Sequence, residues 1–267
     1  MEFLKTIKRR SFINEVVYIA LNIGLAIGLM LIIQTTGSLW LAFAFVAVSL
    51  WRLFAVRPRF WFAHVQSNMV NIIVSFSFVI LLYSANSANV GDAQVLALRS
   101  FLTILYICWL IFLKPLSKRS YIVGQAAVAL FVGVTALYTL TYSWDSSFTV
   151  LAAWLIGYST SSHILGSYDD ESHADLLSLS WGLVFAEISW LAFHWTVAYR
   201  MPIIKNLLIP QVSIIALCAG FIAYKSYDSY YHHQKVRLND VLLPVIFSLG
   251  IVLVLVLFFN GVSNEIV

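Results

Sequence analysis

A chain of 267 residues with 61% hydrophobic and only 10% charged positions, and a mean hydropathy of +0.88, cannot be a soluble domain. Such domains carry roughly 45–50% apolar and about 25% charged residues. The net charge of +4 resides in Lys and Arg that flank apolar runs rather than in a soluble basic patch, which excludes nucleic acid as a partner and points to the lipid bilayer. At about 20 apolar residues per crossing, the chain is accounted for by roughly nine helices, without an extramembrane domain.

In chain order, Lys5, Lys8, Arg9 and Arg10 precede an apolar run from Val16 to Ile33. That run is longer than the core of a secretory signal, and no small-x-small cleavage site follows it, so an uncleaved first span is expected. Nine spans follow from the pattern, at about 14–34, 37–56, 67–85, 94–113, 121–142, 147–166, 177–199, 206–227 and 240–260. No alternating ten-residue pattern appears, so the expected fold is an all-α polytopic transmembrane helical bundle in a single domain, 1–267. The sixth segment is apolar only from Phe148 to Ile156 and then reads Gly157-Tyr158-Ser159-Thr160-Ser161-Ser162-His163. If it re-enters without crossing, the count is eight and everything after it changes side. Gly24 and Gly28 form a GxxxG pair in the first span, which permits close helix packing. Cys108 and Cys218 fall inside spans and read as small apolar side chains. Trp40, Trp51, Trp61, Tyr142 and Trp144 lie near span ends and fit an aromatic belt.

Nine spans with the N-terminus inside place the basic N-terminal residues, Arg52, Arg57, Arg59, Lys114, Lys118, Arg119, Lys225, Lys235 and Arg237 on the inner side. Only Arg200 and Lys205 fall outside, and Arg99 lies within a span. The positive-inside rule therefore favours a multi-pass plasma-membrane protein with the N-terminus inside and the C-terminus outside.

Glu187 is the sharpest feature. A carboxyl deep within an apolar span costs several kcal/mol on insertion scales, so such a residue is either partnered or functional. At 100° per residue, positions seven apart nearly coincide on a helix surface. Ser180, Glu187 and His194 thus form one polar stripe, with Trp190 and Leu191 beside it. Such a stripe is expected to face the bundle or an aqueous cavity. A protonatable carboxyl with an imidazole two turns away suits proton coupling or cation binding; interhelical glue is the structural alternative. Ser159, Ser162 and His163 on the sixth segment would line the inner half of such a path. Arg99 shares a face with Thr103 and Tyr106, and it can snorkel outward, pair with Asp92 or Glu187, or bind an anionic group.

The connection Tyr168-Asp169-Asp170-Glu171-Ser172-His173-Ala174-Asp175 gathers carboxylates and a histidine. Asp169, Asp170, Glu171 and His173 could hold a hard divalent cation. Equally, Ser172-x-x-Asp175 reads as a capping box opening the seventh helix. The eighth segment ends in Tyr224, Lys225, Tyr227, Asp228, Tyr230, Tyr231, His232 and His233, then Lys235 and Arg237, a pattern that fits anchoring to anionic lipid at the inner surface. Adjacent His232 and His233 point in different directions on a helix and make a poor metal pair. There is no phosphate-binding GxxxxGK[ST] loop, no GxGxxG, no HExxH and no GxSxG. Three readings remain: a small transporter with a polar site on the sixth and seventh spans, an enzyme acting on lipid at the inner surface, or a membrane scaffold without chemistry. The sequence names neither substrate, cofactor nor oligomeric state.

Overall fold

The computed structural model describes residues 2–53, 55–85, 91–141, 144–168, 171–194, 198–200 and 208–258. They form ten α-helices: α1 (Glu2–Thr36), α2 (Leu39–Ser49), α3 (Trp61–Ser67), α4 (Met69–Ser84), α5 (Asp92–Cys108), α6 (Arg119–Thr141), α7 (Ser146–Leu165), α8 (Ala174–His194), α9 (Gln211–His233) and α10 (Leu238–Phe258). Three-residue strands β1 (Ala198–Arg200) and β2 (Leu208–Pro210) pair antiparallel between α8 and α9. The all-α class stands. A chain this apolar saturates its backbone hydrogen bonds internally, and helices do so within one segment.

The chain divides into two compact units, Met1–Gln125 and Ala126–Val267. In the first, α1 packs on α2, α4 and α5, and α4 packs on α5 and α2. The interior is built from Ala26, Leu29, Ile33, Val74, Leu98 and Leu102, all nearly or fully inaccessible. Gly37, at φ +60°, makes the sharp reversal between α1 and α2 in a conformation that disfavours a side chain. Ser38 then caps α2 by accepting from the Leu41 amide. In the second unit, α7 lies along α8, and α9 along α10. Hydroxyls stitch these helices to α6. Thr135 donates to Ser213 at 2.9 Å, and Tyr138 donates to the Ser189 carbonyl at 2.8 Å.

Five helices among the described residues are long and apolar enough to cross a membrane: Asn14–Thr36, Asp92–Leu113, Arg119–Thr141, Ala174–His194 and Leu238–Leu257. A sixth exists if Pro58–Ser67 and Met69–Ser84, bent by 67°, count as one span. Several helices are thus compatible with an integral membrane protein, but the expected nine segments differ in detail. The second, expected at 37–56, is helical only from Leu39 to Ser49, and these 11 residues rise about 16 Å, half of a hydrocarbon core. The third begins at the bend. The sixth and eighth correspond to α7 and α9, which have the length, at 20 and 23 residues, but α7 is rich in hydroxyls and α9 carries Lys225, Asp228 and two histidines, so both are less apolar than those five. The described part of α8 runs to His194, and the strand Ala198–Arg200 puts the helix end short of 199. Helix α9 starts at Gln211 rather than 206, directly behind Pro210, whose missing amide proton suits a helix entry.

Candidate functional site

The second unit brings most of the candidate residues onto two facing helices. Helices α7 and α8 approach closely because a glycine on each faces an aromatic residue on the other. A Cβ on Gly157 would lie 2.8 Å from the Cβ of Phe185, and one on Gly182 would lie 3.1 Å from Nε1 of Trp154. Ser178, Gly182, Phe185 and Ser189 form the buried face of α8. These residues recur at three- and four-residue steps and define one helix side. The expected GxxxG contact in α1 is half realised: a Cβ on Gly28 would lie 3.3 Å from the Phe45 ring of α2, whereas among the described residues nothing lies within 4 Å of a Cβ at Gly24. Gly157 and Gly182, the tightest helix contacts, stand alone in their spans and carry no motif.

Ser180, Glu187 and His194 do form one stripe, but on the side of α8 opposite Gly182 and Ser189, and all three are exposed. The expectation that this stripe looks into the chain's own bundle is therefore corrected. The physical reason is that the small residues Ser178, Gly182 and Ser189 occupy the other side, where α7 can come close. Glu187 has no hydrogen bond or ion pair among the described residues. Ser180 returns its hydroxyl to the Leu176 carbonyl at 2.9 Å, and His194 sets Nδ1 2.9 Å from the Trp190 carbonyl while its ring packs 5.0 Å from the Trp190 ring. With Nδ1 donating, Nε2 of His194 is the acceptor that faces outward.

On α7, Ser159 is buried and donates to the Leu155 carbonyl at 2.6 Å, and Thr160 does the same to Ile156 at 2.8 Å. Hydroxyls bonded within their own helix can lie in apolar surroundings without a water-filled path. Ser162 and His163 are half-buried near the end of α7. The α7 hydroxyls and the Glu187 stripe consequently sit on separate faces. Thr149, fully buried on α7, has no hydrogen-bond partner for its hydroxyl among the described residues, a feature without a sequence signal.

Arg99 lies on the buried face of α5 with Leu98, Leu102, Thr103 and Tyr106, as the helical spacing predicts. Its side chain is only 7% exposed, its Nε is unpartnered, and it makes no ion pair among the described residues. The Asp92 pair is not formed among the described residues. Thr103 donates to the Arg99 carbonyl at 2.7 Å, and Tyr106 reaches Ser75 of α4 at 3.1 Å.

Between α7 and α8, Asp169 and Asp170 lie outside the described residues. Glu171 accepts from the Tyr227 hydroxyl and, at 2.9 Å, from the His173 amide. These donors, Tyr227 foremost, hold the Glu171 carboxyl below its usual range. The capping box is not formed as expected: α8 starts at Ala174, and Ser172 pairs its hydroxyl with Nδ1 of His173 at 2.8 Å. Tyr168 donates to Asp228 at 3.0 Å and packs edge-on against Tyr227 and Tyr231. His232 and His233 diverge as expected, toward Asp228 at 3.5 Å and Asp240 at 3.6 Å. The aromatic end of α9, read from the sequence as a lipid anchor, thus also clamps the α7–α8 connection. No group of three His, Cys, Asp or Glu suited to a metal ion occurs among the described residues.

No family model, curated protein or solved structure matches this chain. Any functional reading rests on the side chains themselves.

Proposed function

We propose that this integral membrane protein is a small transporter in which Glu187 binds the coupling proton or the cationic part of a substrate. The observation that carries the reading is a carboxyl seven residues inside α8, about 10 Å from the His194 end, on one face with Ser180 and His194. A group of that kind is expensive to keep in a bilayer and is retained where it does work on a proton or ion. His194, with Nε2 outward at the helix end, passes protons between Glu187 and the outer surface. Because the stripe faces away from α7, the path runs along the outside of the α7–α8 pair. The buried hydroxyls of α7 shape the helix contact and do not line the route.

The accompanying topology is nine crossings, eight made by α1 and α4 to α10 and one by the segment 37–56, of which α2 covers half the core, in the plasma membrane, with the N-terminus inside and the C-terminus outside. The buried, self-bonded hydroxyls of α7 support its place as a polar interior span. Single cysteines at Ser172, Arg200 and Lys235, labelled in intact cells, test it: Arg200 should react, and Ser172 and Lys235 should be protected. Function is tested with purified protein in liposomes loaded with a pH-sensitive dye. Glu187→Gln should abolish coupled proton movement, and flux equal to the parent would remove Glu187 from the mechanism.

A second reading, a membrane assembly subunit, is favoured by the same exposure, since an uncovered polar face is also a docking face. The enzymatic reading rests on the connection from Asp169 to Asp175 with His163 and His173; within it, Glu171 is held by the Tyr227 hydroxyl and the His173 amide.

A further inference from the structure

We infer that the Ser180–Glu187–His194 face of α8 is covered by the same face of a second copy of this chain, in a parallel two-fold pair that places two Glu187 carboxyls together. The inference deepens the transport reading above, since it makes the coupling site a joint property of two chains.

Three observations support a second copy as the occupant. The first is spacing. Along the exposed side of α8, Leu176, Ser180, Leu183, Glu187, Trp190 and His194 follow one another at alternating four- and three-residue steps, and none belongs to the face buried against α7. That is a heptad seam, with Ser180, Glu187 and His194 at one position and Leu176, Leu183 and Trp190 at the other. Two helices crossing at about +20° keep such a seam in register along their length. A lone polar side chain at a seam position is a device for fixing register and copy number.

The second is depth. Copies of one chain insert in the same direction, so a two-fold axis along the membrane normal brings each residue opposite its own counterpart. Ser180, Glu187 and His194 then all meet polar partners at matching depths. A foreign helix would need three polar groups at the same seven-residue spacing.

The third is hydrogen-bond chemistry. A protonated carboxyl has one donor and one acceptor, and two of them facing each other satisfy both. The pair also holds one negative charge with one proton removed, because two carboxyls in contact do not both ionise. His194 behaves in parallel: with Nδ1 committed to the Trp190 carbonyl, two outward Nε2 atoms can share one proton between copies.

The experiment uses the full chain in native membranes with Cys108 and Cys218 replaced by Ala. Single cysteines are placed on the seam (Ser180→Cys, Leu183→Cys) and off it at Leu177, which is also exposed but about 60–140° away from the seam residues around the helix. Oxidation should link the seam variants to dimers at least ten times faster than Leu177→Cys. Equal rates, or linkage of the seam to any other protein, would overturn the proposal. Subunit counting by stepwise photobleaching of the tagged parent chain in native nanodiscs does not depend on the variants: two copies per particle are expected, and one copy would overturn it. The two readings fail separately. Seam-specific dimers in a protein whose Glu187→Gln flux is normal leave the pair standing and remove transport. Lost flux with a single copy per particle does the reverse.

Discussion

Replacing Gly157 with alanine tests the α7–α8 contact on which the placement of Glu187 depends. The added Cβ would sit 2.8 Å from Phe185 Cβ, closer than side-chain carbons approach. The opposing atom is anchored to the α8 backbone, so no rotamer change relieves the contact, and the two helices must part by several tenths of an ångström. Overpacking of this kind typically costs 1–3 kcal/mol. At about 2–4 °C per kcal/mol for a chain of this size, the midpoint should fall by roughly 2–12 °C. The assay is thermal unfolding of purified protein in a mild detergent, followed by tryptophan fluorescence. Gly24→Ala is the internal control: among the described residues nothing lies within 4 Å of its Cβ, so its stability should hold or rise by up to about 1 kcal/mol through alanine's better helix propensity. If Gly157→Ala and Gly24→Ala melt together, α7 and α8 do not approach as described and the outward orientation of Glu187 loses its support.

Arg99→Met removes a buried cation that has no ion pair among the described residues, so stability should hold or rise; a loss of about 3–5 kcal/mol would reveal a carboxylate partner. Tyr138→Phe deletes the bond to the Ser189 carbonyl and should lower stability by about 0.6 kcal/mol, the typical worth of a hydrogen bond between membrane helices; a loss above about 2 kcal/mol would contradict that. The lowered Glu171 carboxyl contributes stability that is present above its unfolded titration near 4.5 and is lost as pH falls through the lower folded value. The midpoint difference between parent and Tyr227→Phe should therefore be full at pH 7 and shrink below about pH 4; a difference that does not change with pH would remove Glu171 as its source.

The helical class and the residues sharing each face were legible because both follow from composition and the 3.6-residue period. Arg99, Thr103 and Tyr106 fell on one side of α5, and Ser180, Glu187 and His194 on one side of α8, as read. The direction in which the α8 stripe faces was not legible. Periodicity fixes which residues lie together, but which side turns inward depends on the fit of a neighbouring helix. Here Gly157 against Phe185 and Gly182 against Trp154 decided it, and single glycines carry no sequence signal of their partners. The shortness of α2 was missed for a related reason. Hydropathy reads on smoothly through Leu50 and Trp51, while the helix gives way after Ser49 to a 3-10 turn at Trp51–Leu53. The clamp of Tyr168 and Tyr227 onto Asp228 and Glu171 joins residues 60 and 56 positions apart, beyond any local pattern.

The end of α5 carries one turn wound more loosely than the rest. From Trp109 to Leu113 the backbone is π-helical, and the Lys114 amide bonds to the Trp109 carbonyl at 2.9 Å. Nearby carbonyls left over by the wider turn find side-chain donors: Gln125 reaches those of Leu113 and Leu116 at 2.6 and 2.8 Å, and Tyr18 makes a longer bond to Leu110 at 3.4 Å. A π turn holds one more residue than the α turn it replaces, so it is in effect an insertion of one amino acid into a helix. Deleting a single residue between Trp109 and Leu113 would let the segment wind as a regular α turn with both flanks facing as they do now, whereas winding all the residues as α-helix would turn one side by about 100° relative to the other. Arg99 and Tyr106 stand on the N-terminal side of that joint, and Lys114 and the entry to α6 on the C-terminal side. The loose turn, which uses no special side chain, therefore sets which wall of the helix presents the buried arginine relative to Lys114.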